Sequence, residues 1–150
     1  MAVIGFTGTR QGMTLSQKQL VETLLVKHNP REVHHGDCIG SDAQFHRIIC
    51  DKTGSSIIIH PPDDRRYRAF CVVDETRGDK ILPEKPYLER NRDIVHDSEI
   101  ILAAPKGFVE ERRSGTWYTI RYARMVSREI FIIFPNGSTT HEEGDGYEGD

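Results

Sequence analysis

Residues 110–124 read Glu-Glu-Arg-Arg-Ser-Gly-Thr-Trp-Tyr-Thr-Ile-Arg-Tyr-Ala-Arg, and they follow an apolar run at Ile100–Ala104. The run reads as a buried strand and the charged residues as a loop. Residues 115–126 read as a helix, because their apolar side chains recur at helical spacing. Ser114-Gly115-Thr116 then falls where that helix starts. A helix start leaves amide hydrogens unpaired and carries the positive end of the peptide dipole, so small and hydroxyl residues there suit an anion. An N-cap serine followed by a tolerated glycine accounts for the same residues. The recurrence of similar turns after two other strands favours a binding loop.

Upstream, residues 2–6 form an apolar run that empties into Thr7-Gly8-Thr9-Arg10-Gln11-Gly12, a strand followed by a glycine loop. Residues 14–28 follow with Leu15, Leu20, Leu24 and Leu25 near helical spacing, and Asn29-Pro30 stops that helix. Residues 32–35 read as a short strand that leaves through Gly36-Asp37-Cys38-Ile39-Gly40-Ser41-Asp42 into a helix over 43–52. Residues 56–59 are nearly all β-branched and read as a third strand. Residues 87–97 read as a helix carrying Arg90-Asn91-Arg92, and 130–134 as a fifth strand after the one at Ile100–Ala104. Strands alternating with helices imply parallel βαβ units with right-handed crossovers and a sheet covered on both faces. The expectation is an α/β, Rossmann-like three-layer domain with a five-stranded parallel sheet. Ligands in such sheets collect at the carboxyl ends of the strands, and every glycine loop here lies at one.

Residues 60–89 break the rhythm with Pro61, Pro62, Pro83 and Pro86, a basic cluster at Arg65, Arg66 and Arg68, and a short helix expected over 67–73. A connection of this length reads as a flap over the site or a solvated excursion. Past Gly137 the glycine-rich acidic tail is expected to be disordered, giving a domain at 1–137 and a tail at 138–150. Its removal is then expected to leave the melting temperature nearly unchanged.

The net charge of −3 is set by that tail: Glu142, Glu143, Asp145, Glu148 and Asp150 lie there with no Lys or Arg, and 20 basic against 18 acidic residues remain without it. A core this near neutrality suits an anionic small molecule better than duplex DNA. Cys38, Cys50 and Cys71 form neither a Cys-x-x-Cys pair nor an even set. The seven histidines are scattered, with His34 and His35 on opposite faces of a strand. Neither a metal site nor a cofactor is expected. No apolar stretch reaches the length of a membrane span and no signal peptide pattern opens the chain, so the expected location is cytoplasmic, away from membranes.

Four motifs in order resemble those of the DNA-processing protein A (DprA/Smf) family. Gly40-x-Asp42-x-x-x-His46 resembles its Gly-Ile-Asp-x-x-x-His motif, and Arg90-Asn91-Arg92-x-Ile94, with Ser98 in step, its Arg-Asn-Arg-x-Ile segment. Ser114-Gly115, Thr119, Arg121 and Ala123 match its Ser-Gly-Ser-x-x-Thr-x-Arg-x-Ala helix start, and Gly5-x-Thr7-Gly8-x-Arg10 its opening loop. The resemblance covers about residues 3–137. It points to the SLOG superfamily, which joins DprA-like proteins to the LOG nucleoside-monophosphate phosphoribohydrolases. It implies strand order 3-2-1-4-5 and self-association, commonly as a dimer. The implied ligand is a nucleotide or NAD-derived molecule across the loops after strands 1, 2 and 4.

The ligand-binding candidates are therefore Gly8, Thr9, Arg10, Gly36, Asp37, Gly40, Ser41, Asp42, Arg90, Asn91, Arg92, Ser114, Gly115 and Thr116. Catalysis is less defined. Thr119 stands where the LOG enzymes place a glutamate, and hydrolysis of an N-glycosidic bond needs a carboxylate to steady the oxocarbenium or activate water. Asp37, Asp42, Glu110 and Glu111 are the substitutes on offer, against ordinary roles as a loop polar group, a helix cap and a solvated charge run. Three readings follow: a nucleotide-binding or sensing module, a phosphoribohydrolase-like N-glycosidase, and a single-stranded nucleic-acid binder of DprA type.

Overall fold

In the computed structural model, which describes residues 2–144, β1 (Val3–Gly8) is the central strand of the sheet. It pairs in parallel with β2 (Glu32–His35) on one side and β5 (Ile100–Ala104) on the other. Beyond β2 lies β3 (Ser56–Ile59), and beyond β5 lies β6 (Glu129–Ile133), both parallel. These five follow the order that the family resemblance implies. The chain first winds outward through β2 and β3, then returns past β1 to β5, so the strand order reverses between β1 and β5.

Two short edge strands correct the expected five-stranded parallel sheet. β4 (Lys80–Ile81) adds in parallel to β3, and β7 (Thr139–Glu142) adds antiparallel to β6, so the sheet has seven strands and is mixed. Neither edge strand has a buried face, so neither carries the apolar alternation that marks a strand in sequence. β7 arises from the segment expected to be a disordered tail. The acidic residues from Asp145 onward lie outside the described residues.

Helices α1 (Leu15–His28) and α2 (Ser41–Lys52) cover one face of the sheet, and α3 (Tyr87–His96) and α4 (Gly115–Met125) the other. On the first face Val21, Leu25, Phe45 and Ile49 pack on Ile4, Phe6, Val33, Ile57 and Leu102. On the second, Val95, Trp117, Ile120 and Ala123 pack on Ile101, Ala103, Ile130 and Ile132. Each of the fully covered strands thus presents apolar residues both ways, the signature of a parallel sheet between helical layers. α1 is held by a capping box in which Thr14 and Gln17 satisfy each other's amides. No helix among the described residues is long and apolar enough to cross a membrane.

The 61–86 connection contains single turns of 3-10 helix at Arg65–Tyr67 and Glu75–Arg77, without the helix expected over 67–73. Its backbone is recruited elsewhere: the Ala69 amide donates to the Asp37 carbonyl and the Cys71 amide to the Asp37 carboxylate, while Phe70 takes a left-handed φ of 54°. Hydrogen bonds spent on another loop cannot close a helix.

Candidate functional site

The exit loops of β1 and β2, the starts of α3 and α4 and the approach to α4 enclose a cleft of about 450 Å³ at the carboxyl end of the sheet. Its floor follows from glycine and serine placement. The Ser41 hydroxyl and amide both donate to the Thr9 carbonyl, at 2.5 and 3.2 Å, which binds the start of α2 to the β1 loop. Gly40 sits at φ 88° against the Arg10 backbone, a conformation and a closeness that a side chain would not permit. Gly36 lies flat under the Arg90 guanidinium, where a Cβ would collide.

Arg90 is 5% exposed and holds the loops together. Its Nη1 donates to the carbonyls of Gly36 and His60, its Nε to Asn91 Oδ1 at 2.7 Å, and its Nη2 to Cys38 Sγ at 3.1 Å. Most of its donors are therefore occupied by protein, and what it offers a ligand is chiefly a fixed positive charge beneath the cleft. Arg10 and Arg113 supply exposed cations at the rim, and Arg10 is steadied by stacking 4.1 Å over the Tyr67 ring. Lys106 pairs with Glu111 across the same rim at 3.4 Å.

At the start of α4, Ser114 acts as the N-cap, its Oγ accepting from the Trp117 amide at 3.2 Å. Among the described residues, the amides of Gly115 and Thr116 have no hydrogen-bond partner. Both residues line the cleft, so unpaired donors at the positive end of a helix border it.

Asp42 also lines the cleft and is 7% exposed. Its Oδ2 accepts from the Cys38 amide at 3.1 Å. Burial pushes its carboxyl up to about 6, against the opposing pull of Arg90. The neighbouring Cys38 thiol is also raised by burial, which argues against a ready thiolate.

Of the sequence candidates, the cleft gathers Gly8, Thr9, Arg10, Gly36, Asp42, Arg90, Asn91, Ser114, Gly115, Thr116 and Glu111. Gly40 and Ser41 stand behind its wall. Asp37 is fully buried, its carboxylate taken by Arg68 and the Cys71 amide, so it faces the 61–86 connection rather than a ligand. Arg92 lies outside the cleft, donating across to the Tyr118 hydroxyl of α4 at 2.9 Å, and Glu110 pairs with Arg121. His46 meets His35 and the Val72 carbonyl. Of the segment read as a flap, residues 60–89, Tyr87 lines the cleft, while the part around Arg68 bridges to Cys38 and braces the β2 exit loop. Sequence reasoning passed over Tyr87, Lys106 and Arg113. Tyr87 is 43% exposed beside Gly115, and its position directly after Pro86 at a helix start was the available signal.

No protein-family model and no curated protein matches the sequence. Among solved structures, the chain is similar to DNA processing protein A (DprA) from Streptococcus pneumoniae, at a TM-score of 0.63 and 17% identity. The match covers 88% of this chain and 50% of that one, so the chain spans about half the length of its structural relative. At that identity the likeness concerns the fold alone: a DprA-like, Rossmann-like α/β architecture.

Proposed function

We propose that the cleft binds a nucleotide or NAD-derived ligand through its phosphate, with the chain acting as a binding or sensing module of the SLOG superfamily. The observation that supports this reading is the pair of unpartnered amides at Gly115 and Thr116, which line a cleft of about 450 Å³ together with Arg10 and Arg113. Oriented amides and guanidinium groups are the donors that hold phosphoryl oxygens, and the volume lies in the small-molecule range. Tyr87 offers a ring face on which a base can stack.

A second reading, N-glycosidic hydrolysis of a nucleoside monophosphate, is favoured by Asp42. A buried cleft carboxyl with a value near 6 is suited to exchanging a proton at neutral pH. The structural relative's DNA-processing role adds a third ligand class, single-stranded nucleic acid. Self-association as a homodimer belongs to the same proposal.

A thermal-shift panel of AMP, ADP-ribose, NAD and a short oligonucleotide separates these readings, because a ligand that binds only the folded form raises the melting temperature. The expected result is a rise with the mononucleotide or dinucleotide ligands and none with the oligonucleotide. Chromatography of the AMP sample reports the enzyme: free adenine, lost in Asp42→Asn, would establish hydrolysis. A flat panel across all four would end the binding proposal.

A further inference from the structure

A second group of polar side chains lies away from the cleft, beneath the carboxyl end of α3. His34 and His60 are buried at 3% and 2% exposure, and the Asp97 side chain, at the C-cap of α3, is half-exposed beside them. His34 Nε2 lies 2.7 Å from Glu32 Oε2. A carboxylate only accepts, so that nitrogen carries the ring proton and Nδ1 presents a lone pair. The lone pair meets His60 Nε2 at 2.7 Å, and His60 Nε2 is 3.8 Å from Asp97 Oδ2. The three donor atoms lie within 4.8 Å of one another.

We propose that His34 Nδ1, His60 Nε2 and Asp97 Oδ2 bind a divalent transition-metal ion, zinc being the best match, with the fourth position open to water. Two imidazoles and a carboxylate form a donor set typical of zinc. Tetrahedral coordination places donors about 3.3 Å apart, so the histidine pair opens by about 0.6 Å and the carboxylate moves inward. Ligating histidines usually donate their far N–H to a carboxylate, which fixes the ring, and Glu32 already does this for His34. His60 needs only a change of tautomer, its proton moving from Nε2 to Nδ1.

The other compact trio, His35, His46 and Cys71, fails the same examination. The Asp37 amide donates to His35 Nδ1 at 2.9 Å, so His35 must keep its proton on Nε2, which donates to His46 Nδ1 at 2.9 Å. His46 Nε2 then donates to the Val72 carbonyl at 2.7 Å. A metal on His35 Nε2 would require an imidazolate or the loss of the buried Asp37 amide hydrogen bond. That trio is a hydrogen-bond chain tied to backbone groups at both ends, whereas the inner nitrogen of His34 is engaged only by His60, a second ligand of the same site.

The inference is independent of the ligand in the cleft. Full-length protein stripped with chelator and titrated with zinc chloride is expected to bind one zinc per chain and to melt at a higher temperature. Cobalt substituted at the site is expected to show visible d–d bands without the near-ultraviolet charge transfer of a thiolate ligand. Asp97→Asn and His60→Gln should each weaken zinc binding at least tenfold, while Cys71→Ser leaves it unchanged. Zinc-independent melting of the wild type, an undiminished affinity in either ligand variant, or a thiolate band with cobalt would each overturn the assignment. The cobalt spectrum needs only the wild-type chain and decides the matter even if a variant does not fold.

Discussion

Two arginines separated by one residue show how much a single position decides. Arg90 and Arg92 are both basic and both belong to the Arg-Asn-Arg segment, yet one is buried under three loop groups and the other lies outside against Tyr118. Residues two apart on a helix point about 200° apart, so they cannot serve one site. The exposed guanidinium groups that line the cleft belong to Arg10 and Arg113. Arg10→Ala is therefore expected to weaken binding of the stabilising nucleotide about tenfold, roughly 1.4 kcal/mol, whereas Arg92→Ala leaves the affinity within about twofold. Isothermal titration of both variants checks this. Equal losses in the two would mean that the ligand reaches beyond the cleft to Arg92.

At the scale of elements, the edge strand β7 carries the clearest consequence. It pairs with β6 over Thr139–Glu142, stacks His141 on Phe131 at a ring-centroid distance of 4.1 Å, and sets Glu142 against the Arg124 guanidinium at 2.8 and 2.7 Å. The exposed ion pair contributes little. The strand ladder and the cover over Phe131 contribute more, so truncation after Gly137 is expected to cost about 1–3 kcal/mol and lower the melting temperature by about 3–10 °C. Differential scanning calorimetry of the truncated chain measures it. An unchanged melting temperature would return residues 138–144 to the status of a tail. The polar, two-sided exposure that hid β7 from sequence reading also guards a sheet edge against pairing with another chain.

For the whole molecule, buried titratable groups make stability depend on pH. Burial holds His35 well below its ordinary value and His60 near 3. Both rings protonate in the unfolded chain near pH 6.5 and resist protonation in the fold. Stability is therefore full above pH 6.5 and falls as the pH drops below it. Asp42 works in the opposite sense: raised to about 6, it favours the fold as pH falls through 6 toward 3.8. Two histidines outweigh one carboxyl, and the net loss between pH 7 and 5 is expected to be on the order of 2–3 kcal/mol. Urea midpoints at the two pH values, at constant ionic strength, test the sign. A higher midpoint at pH 5 would show that the carboxyl dominates.

Sequence alone was enough for the alternation of strands and helices and the central placement of the glycine loops. Ile100–Ala104 is an unbroken apolar run of strand length, and Trp117, Ile120 and Ala123 recur at helical spacing, so both elements are local features of the chain. The motif around Ser114 likewise led to the cleft, because a helix start is a local feature. Tertiary structure decided what depends on partners distant in the chain: β4 and β7, which pair through their backbones alone, the burial of Asp37 under Arg68, and the reach of Arg113 to the rim. It also brought His34, His60 and Asp97 together across 63 residues of chain, a convergence that follows only once parallel strands and a returning helix are laid side by side. Periodicity reports which way a side chain faces, and only the packed fold settles what it faces.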